Sequence, residues 1–135
     1  MTKEQLIQKA KAARELSYSP YSNFKVGAAV LTKDGKVFLG ANIENSAYSM
    51  CMCAERNALY HAYMNGYKKE DIEALALCAD TEEPCSPCGA CRQVISELML
   101  PDAPIYMSNS RKTLNVWIHS PWCFYISWFY FRINL

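Results

Sequence analysis

The sequence predicts an α/β protein, a three-layer α/β/α arrangement around a central mixed β-sheet. Three observations predict it. Apolar residues recur at helical spacing in three separate segments, short apolar runs of strand length lie between them, and the order reads helix, strand, strand, helix, strand, helix, strand. With 135 residues, 51% hydrophobic and 20% charged, the chain suffices for one hydrophobic core and is not of disordered composition.

The first helix opens at Thr2, where Thr2-Lys3-Glu4-Gln5 fits a capping box, and Leu6, Ala10 and Ala13 mark its inner face as far as about Ser17. Pro20 ends any helical reading, because it lacks an amide hydrogen and restricts Ser19. Phe24 to Thr32 (FKVGAAVLT) reads as a strand, with Phe24, Val26, Ala28 and Val30 on one face. Asp34-Gly35 marks a tight hairpin, and Val37 to Ala41 returns as its partner strand. Gly27 and Ala28 are small for a strand interior, which fits either close helix packing or room for a ligand.

A second helix is expected from Cys53 to about Asn65, where Asn65-Gly66 forms a stop. Its inner stripe is Glu55, Ala58, Leu59 and Ala62. A glutamate on an apolar helix face is costly unless paired or used, and desolvation there raises its pKa toward neutrality. Ile72 to Ala79 is a nearly unbroken apolar run, as in a strand covered on both faces, with Cys78 a core thiol. A third helix runs from about Cys88 to Leu100, stopped by Pro101, and Pro104 to Ser108 forms another strand.

A formal net charge of +1 and the absence of any Lys/Arg cluster argue against nucleic acid as a partner. The first sixteen residues alternate charged and apolar side chains and do not form a secretory leader, so the expected compartment is the cytoplasm. Seven cysteines in a reducing compartment read as metal ligands and free thiols rather than as disulfides.

Two stretches carry the chemistry: Cys53-Ala54-Glu55-Arg56 and Pro87-Cys88-Gly89-Ala90-Cys91-Arg92-Gln93. Three thiolates leave a tetrahedral Zn²⁺ with one open position, and a nearby carboxylate can move protons to and from water there. Cys85 with Cys88 and Cys88 with Cys91 compete as the paired ligands. Pro87 favours Cys88 and Cys91, because proline suits a helix start and holds Ser86 out of it. Cys53 is the third ligand, with Cys51 in reserve. Helix N-termini, Arg56, Arg92 and Gln93 are placed to offset the negative charge on the sulfurs. Asn42 and Glu44 point the same way in extended chain and suit sugar hydroxyls, or are simply solvated.

These stretches, with Tyr18-Ser19-Pro20-Tyr21-Ser22-Asn23-Phe24-Lys25-Val26-Gly27-Ala28-Ala29 and Asn42-Ile43-Glu44-Asn45, closely resemble the small homotetrameric zinc-dependent cytidine deaminases from about Leu6 to Arg111. The resemblance implies hydrolytic deamination of cytidine and 2′-deoxycytidine, a step of pyrimidine salvage, with one Zn²⁺ per subunit on Cys53, Cys88 and Cys91. It implies that Glu55 moves protons between water, N3 and the departing ammonia. Phe24 would lie against the base, the Ala54 backbone would contact the base edge, and Asn42 and Glu44 would hold the ribose. Tyr48 would reach a neighbouring subunit's site, and Arg56 and Gln93 would support the ligands. The partner is then a small nucleoside, with neither nucleic acid nor membrane involved.

The resemblance stops near Arg111. The family's closing helix and late phenylalanine are replaced over Leu114 to Leu135 by an aromatic-rich stretch holding all three tryptophans. Residues 1–113 are expected to form the catalytic domain. Residues 114–135 read as an atypical tail, from a shifted reading frame, a cloning error or a divergent end of the domain. Pro121 and the short length exclude a membrane span there. The alternative function is an inactive or structural zinc module in which Cys85 or Cys51 completes a four-sulfur site. A dithiol redox protein using Cys88 and Cys91 leaves Cys53 and Glu55 unexplained.

Overall fold

The computed structural model describes residues 1–82, 84–109, 111–118 and 131–134. Helix α1 (Lys3–Ala13) opens with the expected capping box between Thr2 and Gln5 and buries Leu6, Ala10 and Ala13. One tighter turn, Arg14–Leu16, carries it to Ser17, where the backbone becomes extended. Strands β1 (Val26–Thr32) and β2 (Val37–Ala41) form the antiparallel hairpin. Gly35 in its turn has φ +88°, a conformation that favours glycine.

Helix α2 (Ala54–Met64) stops before Gly66, whose φ is also positive at 91°. Strand β3 (Ile72–Ala79) pairs antiparallel with β1. Helix α3 (Gly89–Leu98) leads to β4 (Ile105–Ser108), which runs parallel to β3. Helix α3 stops two residues short of the expected Leu100, because Leu100 precedes Pro101 and is held out of helical geometry. Strands β5 (Thr113–Ile118) and β6 (Phe131–Asn134) extend the sheet antiparallel. The order across the sheet is β2-β1-β3-β4-β5-β6 among the described residues. Of the stretch expected to depart over 114–135, residues 119–130 and 135 lie outside that description.

Helices cover both faces of the sheet, so the three-layer expectation holds. Leu6 and Ala10 of α1 pack with Ala29, Leu31, Ala74, Ala76 and Cys78. On the other face, Ala58, Leu59, Ala62 and Ile95 of α2 and α3 pack with Val26, Ala28, Val30, Leu75 and Leu77. Every residue of β1 is buried for this reason, and hydrophobic-polar alternation is lost.

Gly27 belongs to the packing, not to a ligand space. A Cβ there would lie 2.0 Å from the carbonyl oxygen of Ala10, so α1 can sit this close only over a glycine. Ala28 is fully buried in the opposite core. Strand β1 begins at Val26 rather than at Phe24. The side chain of Asn42 takes the bonds a strand neighbour would take, donating to the Phe24 carbonyl at 2.7 Å and accepting from the Val26 amide at 2.9 Å.

Candidate active site and metal centre

Two helix starts meet at the candidate site. Cys53 is the N-cap of α2 and Cys88 the N-cap of α3. The chain enters α2 through a braced loop, in which Ile43 bridges to both Tyr18 and Met52. Helix α2 is pressed onto β2 at Gly40, where a Cβ would stand 2.4 Å from the Ala54 carbonyl oxygen and 2.4 Å from the Ala58 nitrogen. Asn57 ties the same surfaces together, donating to the Ala41 carbonyl at 2.8 Å. On α3, the backbone amide of Cys91 donates to the Cys88 sulfur at 3.4 Å.

These placements bring the sulfurs of Cys53, Cys88 and Cys91 within 4.8 Å of one another. A tetrahedral zinc with Zn–S bonds of about 2.3 Å holds its sulfurs about 3.8 Å apart. The Cys53 and Cys88 sulfurs are 3.7 Å apart, so the donor set fits zinc in both chemistry and spacing. Neither competing cysteine belongs to this group among the described residues. The Cys51 sulfur is engaged with the Asn45 backbone at 3.3 and 3.5 Å. Cys85 packs partly against the core, its sulfur near the Ser86 carbonyl at 3.7 Å.

Glu55 completes the arrangement. It is 4% exposed, and its Oε2 accepts from the Cys91 sulfur at 3.7 Å. Burial, aided by the charge of Cys53, pushes its carboxyl up to about 7. The Cys53 thiol is lowered to about 5, chiefly by its hydrogen bond from Cys91 and further by those from Arg56 and Cys88. The same contact with Cys53, together with burial, raises the Cys91 thiol. Arg56 donates from Nη2 to the Cys53 sulfur at 3.4 Å, and its own ionisation is raised by that bond against the effect of burial. The bond and two positive helix ends favour thiolate at this point.

The structure engages the expected substrate-side residues unevenly. Ala54 is buried in the first turn of α2. Asn42 is occupied structurally: besides its bonds to Phe24 and Val26, its Oδ1 accepts from the Ser17 hydroxyl at 2.6 Å. Glu44 Oε1 accepts from the amides of Tyr21 and Ser22, at 3.1 and 3.2 Å. Those bonds, with that from the Ser22 hydroxyl foremost, hold its carboxyl below the usual range. Phe24 is partly exposed, Tyr48 is 87% exposed on the turn Tyr48–Met50, and Gln93 is half-buried on α3. Sequence reasoning missed Gly40 and Ser17. A glycine inside a strand was the available signal for the first; nothing marked Ser17 out from other loop serines.

The α/β/α fold, a three-sulfur group and a buried carboxylate together define the site of a zinc hydrolase, in which Cys53, Cys88 and Cys91 would hold the metal and the metal would activate water. Comparison with known proteins agrees. Residues 1–107 match the family model described as the cytidine and deoxycytidylate deaminase zinc-binding region. The cytidine deaminase of Sporosarcina psychrophila is 54% identical over 111 residues, spanning 82% of this chain and 80% of that one. That of Halalkalibacterium halodurans is 52% identical over 109 residues, 81% of each chain. Among solved structures, the cytidine deaminase of Burkholderia pseudomallei superimposes with a TM-score of 0.85 at 49% identity, covering 87% of this chain and 94% of that one. The chain belongs to the zinc-dependent cytidine deaminase family.

Proposed function

We propose that the protein hydrolyses cytidine and 2′-deoxycytidine to uridine and 2′-deoxyuridine, releasing ammonia. The observation that carries this reading is the buried Glu55 carboxylate beside three clustered sulfurs. Cys53, Cys88 and Cys91 hold one Zn²⁺, which when bound supplies the polarisation that makes water a good nucleophile at neutral pH. A carboxyl raised to about 7 is matched to work as both base and acid near that pH. Glu55 accepts a proton as water adds to C4 of the ring and passes it to N3. It then carries the second proton to the exocyclic amine, which leaves as ammonia while C4 becomes a carbonyl.

The sugar is held by the carboxylate of Glu44 and the remaining amide hydrogen of Asn42. Support for this is that the bonds to Tyr21, Ser22, Phe24, Val26 and Ser17 fix both side chains in place beforehand. Phe24 packs on the base, the Ala54 backbone reads its edge, and Gln93 supports the ligand helix. We read the enzyme as a cytoplasmic homotetramer in which Tyr48 reaches a neighbouring subunit's site. Its 87% exposure, with Met50 at 65%, supports a partner surface there. No helix of the described residues is long and apolar enough to cross a membrane.

Loss of cytidine followed by ultraviolet absorbance, on protein of verified mass and zinc content, tests the reaction. Turnover proportional to bound zinc is expected; zinc-loaded protein that leaves cytidine unchanged overturns the reading.

A further inference from the structure

Asn109 follows β4 directly, is 8% exposed, and has its side chain bonded at both ends. Its Nδ2 donates to the carbonyls of Thr81 and Glu82, at 2.8 and 2.9 Å. Its Oδ1 accepts from the amides of Arg111 and Lys112, at 2.8 and 2.7 Å. A side-chain amide has two donor hydrogens and two acceptor positions, and here each has a partner.

The topology explains why such a fastening is placed here. Strands β3 and β4 run parallel, with Cys78 opposite Ser108, so the segments after both leave the same edge of the sheet. The segment after β3 carries Pro84, Pro87, Cys88 and then Cys91. It leaves the ladder at Ala79, so its carbonyls find their partners outside the sheet. Asn109 supplies two of them. Pro84 and Pro87, each with fixed φ, restrict the chain that leads to Cys88. Cys85 packs the same segment against the core, and Pro87 is buried.

We propose that Asn109 is a positioning residue for the metal centre, fixing where Cys88 and Cys91 stand relative to Cys53. The proposal rests on the reading of those cysteines as zinc ligands. Asn109→Asp keeps the shape and removes both donors, setting an acidic group against two carbonyls. Ser108→Ala is the control, because it deletes a bond from the adjacent residue to the Leu77 carbonyl within the sheet, at 2.9 Å.

The test uses zinc-loaded, full-length protein and a chromogenic chelator, recording the rate of zinc release well below the unfolding temperature, with Tm measured alongside. Asn109→Asp is expected to release zinc at least about tenfold faster than the unsubstituted protein, as for other residues that orient metal ligands. Ser108→Ala is expected to stay within about twofold of the unsubstituted rate. Release from Asn109→Asp at the unsubstituted rate, or equally fast release from a Ser108→Ala protein of the same Tm, overturns the proposal. Asn109→Ser, judged by the same criteria, replaces Asn109→Asp if the latter does not fold. A separate result, full zinc retention by Cys88→Ser, would overturn the ligand assignment itself.

Discussion

The carboxylate of Glu55 and the sulfur of Cys91 lie 3.7 Å apart although the residues are 36 positions apart in the chain. One stands in the first turn of α2 and the other in the first turn of α3. The proposed proton carrier and a proposed metal ligand are thus brought together by helix starts from separate crossings of the sheet.

Glu55→Gln is nearly isosteric and keeps a buried polar group, but it cannot exchange protons. Zinc content and fold are expected to survive while kcat falls by about 10³-fold or more, within the range or above the ceiling typical of one general acid–base. Metal analysis beside steady-state kinetics checks this, and near-normal turnover would contradict the role.

The raised carboxyl of Glu55 also sets a pH dependence for the metal-free protein. Its folded value, about 7, lies above the ordinary 4.5, so the folded state binds the proton more tightly. The associated stability is present below about pH 4.5 and is lost as pH rises through about 7, amounting to about 3 kcal/mol. Metal-free Glu55→Gln is therefore expected to be the more stable protein at pH 8, and to lose this advantage at pH 4.5. Urea unfolding at the two pH values measures the difference.

Substitution of single cysteines by serine separates ligands from bystanders. Cys53→Ser, Cys88→Ser and Cys91→Ser are expected to be recovered with less than stoichiometric zinc. Cys51→Ser and Cys85→Ser are expected to keep a full equivalent, because their sulfurs lie outside the cluster. Zinc loss from Cys85→Ser would instead support a closed four-sulfur site.

Gly40→Ala and Gly27→Ala place the same methyl group against helix backbones on opposite faces of the sheet. Both are expected to lower stability by about 1–3 kcal/mol or more, the usual cost of overpacking. Only Gly40→Ala displaces the helix start that bears Cys53 and Glu55, so it alone is expected to reduce kcat per bound zinc. Equal kcat in the two variants would show that Gly40 serves packing alone.

Much of the fold was legible because its signals are local. Thr2 with Gln5 marked the start of α1, Asp34-Gly35 the hairpin, and Asn65-Gly66 the end of α2. The apolar run from Ile72 to Ala79 gave a covered strand with its observed limits. Cys88 and Cys91 could be grouped because Pro87 announced a helix start, and their pairing with Cys53 follows once two helix starts face each other.

The parts that were not legible depend on distant partners. Phe24 reads as strand from its neighbours, but Asn42 takes over the ladder bonds at that point. The crowding at Gly27 and Gly40 depends on how closely helices approach, which residue spacing does not encode. Asn109 looks like an ordinary polar residue after a strand until the loop beyond β3 is seen against it.

Cys53 arrives on a helix that the preceding hairpin can hold, whereas Cys88 and Cys91 come a full strand later. During synthesis the first sulfur therefore leaves the ribosome before its partners. On the proposed ligand assignment, three-sulfur metal capture waits until Cys88 and Cys91 have followed, which ties zinc uptake to completion of this part of the fold.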